Sequence, residues 1–252
     1  NPRSINYLIQ SVRVPVTDWA RRNHIPDPLE YLRRVAEHPK ERGTLSVEEI
    51  GKVIALEGES PRVKAAFLLG ALCGLRMGEV RGLQWEDVDE EAGLLHVCHN
   101  FVDGREGVKS PKCGSCRDVP LPSAVLEAID LCHAVAPKEA RFVLFNESAP
   151  ALPGDKQIIE RGFRAILKSI GIDEKARKER NLVFHGLRHT YVSMTRAAGL
   201  PDFVVMRLAG HKSASMMERY SHAENVVDFA AARVALDGAV KQGTDKALCA
   251  NQ

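Results

Sequence analysis

Apolar positions recur along most of the chain at helical spacing, and the exceptions mark where the architecture changes. Between residues 4 and 22, Ile5, Leu8, Ile9, Val12, Val16 and Trp19 line one face of a helix, with Pro15 placed to kink or end it. An Ile-Pro-Asp-Pro turn at 25–28 leads into a short helical stretch holding Leu29, Leu32, Val35 and Ala36. The polar run at 38–43, with its proline and glycine, reads as a linker. Ser46-Val47-Glu48-Glu49 is the S-x-x-E of a capping box and opens the next helix. Ser60-Pro61 opens another, which carries Phe67, Leu68, Ala71 and Leu72 and should stop at Gly74, a residue suited to a left-handed cap.

From Leu94 the pattern turns β-prone. LLHVCHNFV, a glycine-bearing turn and RDVPL at 117–121 predict a small antiparallel sheet. Helical periodicity then returns in SAVLEAIDLCHAV, DKQIIERGFRAILKSI, GLRHTYVSMTRAAG (ending on Gly199), DFVVMRLAG and NVVDFAAARVALDGAV. The last twelve residues read as a mobile tail. The predicted class is mainly α with a small antiparallel β-sheet, an α+β fold.

Composition changes this picture little. A chain of 252 residues can bury one large core or two smaller ones, and a net charge of +2 neither announces nor excludes a nucleic-acid partner. No apolar run reaches bilayer-spanning length and no signal-peptide layout is present, so the expected location is the cytoplasm. The six cysteines, mostly inside apolar segments, read as reduced core residues rather than a disulfide framework. The chain opens at Asn1 in mid-helix pattern, as expected of a fragment lacking its N-terminus.

Candidate chemistry lies in three separated stretches. Arg76 follows the predicted helix stop, His185 and Arg188 stand one helical turn apart, and His211 precedes Tyr220 by nine positions. Two guanidinium forks converging on one point suit the non-bridging oxygens of a phosphate. Each residue alone has a plainer reading: a surface salt-bridge arginine, a solvated helix start, a half-buried core tyrosine.

Together, CGLRMGEVRGLQWEDVD, FHGLRHTYVS and LAGHKSASMMERYSH resemble the three signature boxes of the tyrosine recombinase, or phage integrase, family, in the family's order. The resemblance spans about residues 43–235. It implies that Tyr220 attacks a DNA phosphodiester to give a 3′-phosphotyrosine link, with Arg76 and Arg188 clamping the phosphate. His185 would act as base or proton shuttle, and His211 would hydrogen-bond a non-bridging oxygen. A phenol with a pKa near ~10 needs such help to become a nucleophile. The family's general acid is a lysine on a β-hairpin turn, which points to Lys112, with Lys109 as the fallback; Cys113 departs from the family by replacing a threonine. Glu79 matches a carboxylate that orients the site, while His189, Ser221 and His222 are assigned packing or turn-stabilising roles.

The resemblance also implies an organisation: residues 1–40 as the closing helices of a DNA-gripping core-binding domain, 41–238 as the catalytic domain, and 239–252 as a flexible tail. The expected function is site-specific DNA recombination that integrates or excises a phage or mobile element, without metal, nucleotide or other cofactor. The expected partners are a double-stranded recombination site, three further copies in a tetramer, and an accessory DNA-bending protein, with no membrane. By the same resemblance the helix at 226–237 docks on a neighbouring subunit; its alternative is packing on its own domain. Rival readings are a resolvase of chromosome or plasmid dimers, a type IB topoisomerase, and a catalytically idle DNA-binding regulator.

Two further signals complete the reading. Cys113 and Cys116 form a C-x-x-C near His96, Cys98 and His99, but a second pair at zinc spacing is missing, so no metal is expected. Arg161, Arg164 and Lys168 share one helix and are the candidate DNA-phosphate contacts. A second basic group, Lys175, Arg177, Lys178 and Arg180, is interleaved with acids and reads as a solvated charged face as readily.

Overall fold

The computed structural model describes residues 1–37, 42–104, 107–109, 116–210 and 227–249. The chain divides into two compact units, Asn1–Glu41 and Arg42–Gln252.

In the first unit, helix α1 spans Pro2–Arg22, begins at an Asn1 cap and continues past Pro15. The missing proline N–H removes one backbone bond of the helix without ending it. The predicted second helix at 29–36 does not form. The Asp27 carboxylate holds the Leu29 N–H at 2.9 Å in a turn, and the chain then runs non-helically along α1. Asn6, which is buried, accepts from the Val35 N–H and donates to the Val35 carbonyl, both at 2.8 Å, so it takes the place of a backbone partner. Ile5, Leu8, Val12 and Trp19 of the predicted apolar face are exposed.

The second unit is built around α3 (Pro61–Leu72), whose residues 65–72 are all buried. It packs against α5 (Ser123–Ala134), α6 (Lys156–Ser169) and α8 (Gly186–Ala197). Phe67 stacks on Phe163 at 5.6 Å, and Phe163 meets Phe184 edge-on at 6.0 Å. The capping box at Ser46 forms as predicted and starts α2 (Val47–Ala55). α3 ends in a Schellman turn: Gly74 has φ +66°, and the Leu75 N–H reaches back to the Leu69 carbonyl at 3.2 Å. That turn delivers Arg76 to the start of α4 (Met77–Gly82).

The predicted small sheet is two small antiparallel sheets. One has the order β1 (Val88–Asp89), β2 (Leu94–Val97), β5 (Arg117–Pro120); the other pairs β3 (Asn100–Val102) with β4 (Gly107–Lys109). In the β2–β5 register Val97 faces Arg117, so the next pair along the ladder is Cys98 and Cys116. Their Cα atoms are 4.4 Å apart and the two are disulfide-bonded. The expectation of reduced cysteines therefore holds for buried Cys73 and Cys132 and is overturned for this pair.

Two short helices follow α6: α7 (Glu174–Glu179) and, beyond α8, α9 (Asp202–Leu208). The C-terminal helix extends over Phe229–Cys249, well past the point where a tail was expected, and Val240 and Ala247 on it are buried. It packs on α2 of its own chain, with further contacts to β5 and α8. The crossing is close because both helices present glycine: a Cβ on Gly51 would lie 2.5 Å from the Gly243 carbonyl carbon. The helix thus packs on its own domain, the alternative named for residues 226–237. Among the described residues no helix is long and apolar enough to cross a membrane.

Candidate functional site

Helix α9 ends in three successive carbonyls, and each accepts a hydrogen bond from a different arginine. Arg117 Nε donates to Leu208 at 2.9 Å, Arg188 Nη2 donates to Ala209, and Arg76 Nη2 donates to Gly210 at 3.1 Å. A helix C-terminus carries unpaired carbonyls and the negative end of the macrodipole, so it attracts guanidinium groups. The three arginines come from the start of β5, from α8 and from the turn before α4. One short helix end therefore gathers side chains from three distant parts of the sequence.

Arg76 and Arg188 reach this point differently. Arg76 is 41% exposed, and its backbone N–H and Nη1 both donate to Glu79, at 2.9 and 2.7 Å. Arg188 is 3% exposed, and its Nη1 donates to the Gly74 carbonyl at 2.8 Å. Burial, then the charge of Arg76, push the Arg188 pKa down to about 10, which leaves it cationic at neutral pH. The site holds like charges close together and so favours an anion between them.

Glu79 is 3% exposed and sits between two guanidiniums. Its Oε1 accepts from Arg76 Nη1 and Arg117 Nη1, its Oε2 from the Arg76 N–H and Arg117 Nη2. Burial opposes its ionisation, but the hydrogen bonds and charge of Arg117, followed by those of Arg76, prevail and hold its pKa at about 2. His185, an exposed residue, stands at the N-cap of α8. Partial desolvation, then the charges of Arg42, His189, Arg188 and Arg76, lower its pKa to about 4. The imidazole is neutral at physiological pH and able to accept a proton. Its ring meets that of His189 edge-on at 5.9 Å, and Arg42 Nη1 lies 3.5 Å from His189 Nε2.

Of the residues singled out in the sequence, Arg76, Glu79, His185 and Arg188 are thus brought together. Lys112, His211, Tyr220, Ser221 and His222 lie outside the described residues, as does Cys113; Lys109 falls on β4, with its backbone alone described. Arg161, Arg164 and Lys168 lie on the exposed side of α6. In the second basic group Arg177 pairs with Glu174 and Arg180 with Glu49, both at 2.7 Å or less. His96 and His99 each face a carboxylate, Asp118 at 2.8 Å and Asp87 at 2.9 Å. In the sequence Arg117 is one arginine at a strand start, and its partners Glu79 and Leu208 are remote along the chain.

A mainly helical domain with two small antiparallel sheets and arginines gathered at one helix end defines the catalytic-domain class of the tyrosine recombinases. A family model described as the phage integrase family matches residues 45–226, and the chain belongs to that family. It is 30% identical over 207 residues to a XerC-like tyrosine recombinase of Caldanaerobacter subterraneus subsp. tengcongensis, covering 71% of this chain and 50% of that protein. To the ICEBs1 integrase of Bacillus subtilis it is 26% identical over 240 residues, covering 87% and 61%. The chain spans about half the length of the first curated relatives it matches. Among solved structures, the Tn1549 transposon integrase in complex with a circular intermediate DNA aligns with a TM-score of 0.69 at 19% identity, covering 92% of this chain and 78% of that one. A lambda integrase dimer bound to a COC′ core site aligns at 0.62 and 19%, covering 89% and 76%. At these identities the likeness is one of fold.

Proposed function

We propose that this chain cleaves and rejoins DNA strands at a specific site, as the recombinase of a phage or other mobile element. The observation that carries the reading is the gathering of Arg76, Arg188 and the Glu79 carboxylate at the end of α9, directly before His211 and the segment that bears Tyr220. In this reading the Tyr220 phenolic oxygen attacks the scissile phosphorus, its proton passes to neutral His185, and the P–O bond to the 5′ oxygen breaks. Lys112, or failing it Lys109, protonates that leaving oxygen, and the phosphate remains as a 3′-phosphotyrosine. Arg76, Arg188 and His211 take up the charge that develops on the non-bridging oxygens, the kind of preorganised electrostatics that dominates many rate enhancements. The phosphotyrosine bond keeps the energy of the broken linkage, so rejoining needs no cofactor.

Residues 1–40 are assigned in this reading to the end of a DNA-gripping domain and 41–238 to the catalytic domain. A DNA duplex is the partner, and the DNA-bound Tn1549 and lambda structures support that choice. A tetramer on two duplexes, with an accessory bending protein, is the assembly, and the cytoplasm its place. The test uses the core sequence that the chain enriches from a randomised duplex pool, with nicks tiled across it to trap cleavage. A covalent protein–DNA band on a denaturing gel, lost in Tyr220→Phe, is expected; a chain that binds its selected core but yields no band sinks the enzymatic reading.

Arg161, Arg164 and Lys168 are proposed to meet phosphates along the duplex, since all three are exposed on one side of α6. Replacing Arg161 and Arg164 with glutamine removes two phosphate contacts, and the slope of log affinity against log salt should flatten by roughly 1.8. An unchanged slope would remove these residues from the DNA interface.

A further inference from the structure

Arg117 shares the Glu79 carboxylate with Arg76, yet nothing in its geometry aims it at substrate. Its side chain is 12% exposed, and all three of its nitrogens donate within the protein: Nη1 and Nη2 to the two Glu79 oxygens at 3.0 and 2.8 Å, Nε to the Leu208 carbonyl at 2.9 Å. The fork packs beneath Gly210, where φ is +63° and a Cβ would lie 3.1 Å from Arg117 Nη1. Any residue other than glycine there would crowd the guanidinium.

We propose that Arg117 is a positioning residue of the cleavage centre, acting on the phosphate only through Glu79 and Arg76; this rests on the recombinase reading above. A carboxylate offers about four acceptor sites, and Glu79 fills four, two with Arg117 and two with Arg76. Arg117 thus fixes the plane and charge of the group that fixes Arg76. With Arg117 absent, the buried Glu79 keeps Arg76 as its cationic partner, and the Arg76 fork is free to turn toward both of its oxygens and away from the phosphate. Lysine in place of Arg117 keeps the charge but cannot form the bidentate fork. The bond to Leu208 ties the same guanidinium to the helix end that leads into His211.

The test is single-turnover cleavage of the selected, nicked duplex by the full chain, arranged as a double-mutant cycle. Arg117→Met is expected to slow cleavage by about 100-fold, the order of loss that a misplaced catalytic group causes. In an Arg76→Ala background the same substitution should add less than about threefold, because the group it positions is already gone. Arg117→Lys should restore part of the rate. A 100-fold loss that persists undiminished in the Arg76→Ala background would show a general structural prop and overturn the inference, as would an Arg117→Met chain that cleaves at the wild-type rate. Should Arg117→Met fail to fold, the cycle is read with Arg117→Lys, where about a tenfold loss that vanishes with Arg76→Ala is expected. A wild-type chain that forms no adduct overturns the recombinase reading and this inference with it, an outcome distinct from every result on the variants.

Discussion

Replacing Arg188 with alanine is expected to lower strand cleavage by at least 100- to 1,000-fold, the order of loss seen when one preorganised donor is removed from a transition-state charge site. The expectation rests on where its donors go. Arg188 donates to the carbonyls of Gly74 and Ala209, and through them joins the turn that delivers Arg76 to the helix end that precedes His211. Alanine therefore removes both a cation from the proposed phosphate site and the link between two of its walls. Stability should fall as well, by about 1–3 kcal/mol for each buried carbonyl left without a donor. One opposing effect is present: the lowered Arg188 pKa shows that the guanidinium is held against burial and the charge of Arg76. Removing it relieves that repulsion, so the net loss of stability should sit at the lower end. Lysine can satisfy one carbonyl and keep the charge, and should recover stability better than rate. Single-turnover cleavage and urea unfolding measure the two separately. An Arg188→Ala chain that keeps more than a tenth of the wild-type rate would remove Arg188 from the phosphate clamp.

The residues of this clamp were legible in the sequence to the degree that their role is local. Arg76 and Glu79 sit three apart at the start of α4, and His185 and Arg188 three apart at the start of α8, so each pair is a short motif that the structure keeps. Arg117 was not legible, because its contacts are with Glu79, 38 positions away, and Leu208, 91 positions away. The same division runs through the fold. The buried helix α3, the Ser46 capping box and the Gly74 stop follow from local pattern and form as read. The Cys98–Cys116 bond depends on the β2–β5 register across a long connection, which the cysteine spacing does not state. The segment at 29–36 has helical apolar spacing, yet one buried asparagine on α1 offers Val35 a better-placed donor and acceptor. The apolar pattern at the end of the C-terminal helix is too weak to mark it in the sequence. Val240 and Ala247 are buried on that helix, and glycine at 51 and 243 lets it lie close on α2, a fit with no trace in local hydrophobicity.

Gly74→Ala is expected to destabilise the second unit by about 2–4 kcal/mol, combining strain of a left-handed non-glycine residue with overpacking of the core. Gly74 has φ +66°, and a Cβ there would overlap the Tyr191 ring, with two ring carbons at 2.9 Å. Tyr191 is fully buried among Leu208, Ala209 and Leu236 and has no open side to move into. The two contributions can be separated within the same protein. Gly199 also has a left-handed φ, +85°, but a Cβ on it would meet nothing within 4 Å. Gly199→Ala therefore reports the strain alone, about 1 kcal/mol, and the difference between the two variants is the clash with Tyr191. For a unit of this size the Gly74 variant should melt roughly 5–15 °C lower. Cleavage should fall further than stability accounts for, since the Gly74 carbonyl anchors Arg188 and the displaced ring leans on the Leu208–Ala209 end that the arginines share. Equal, small losses for the two alanine variants would mean that the ring yields freely and that the turn after α3 does not set the position of the clamp.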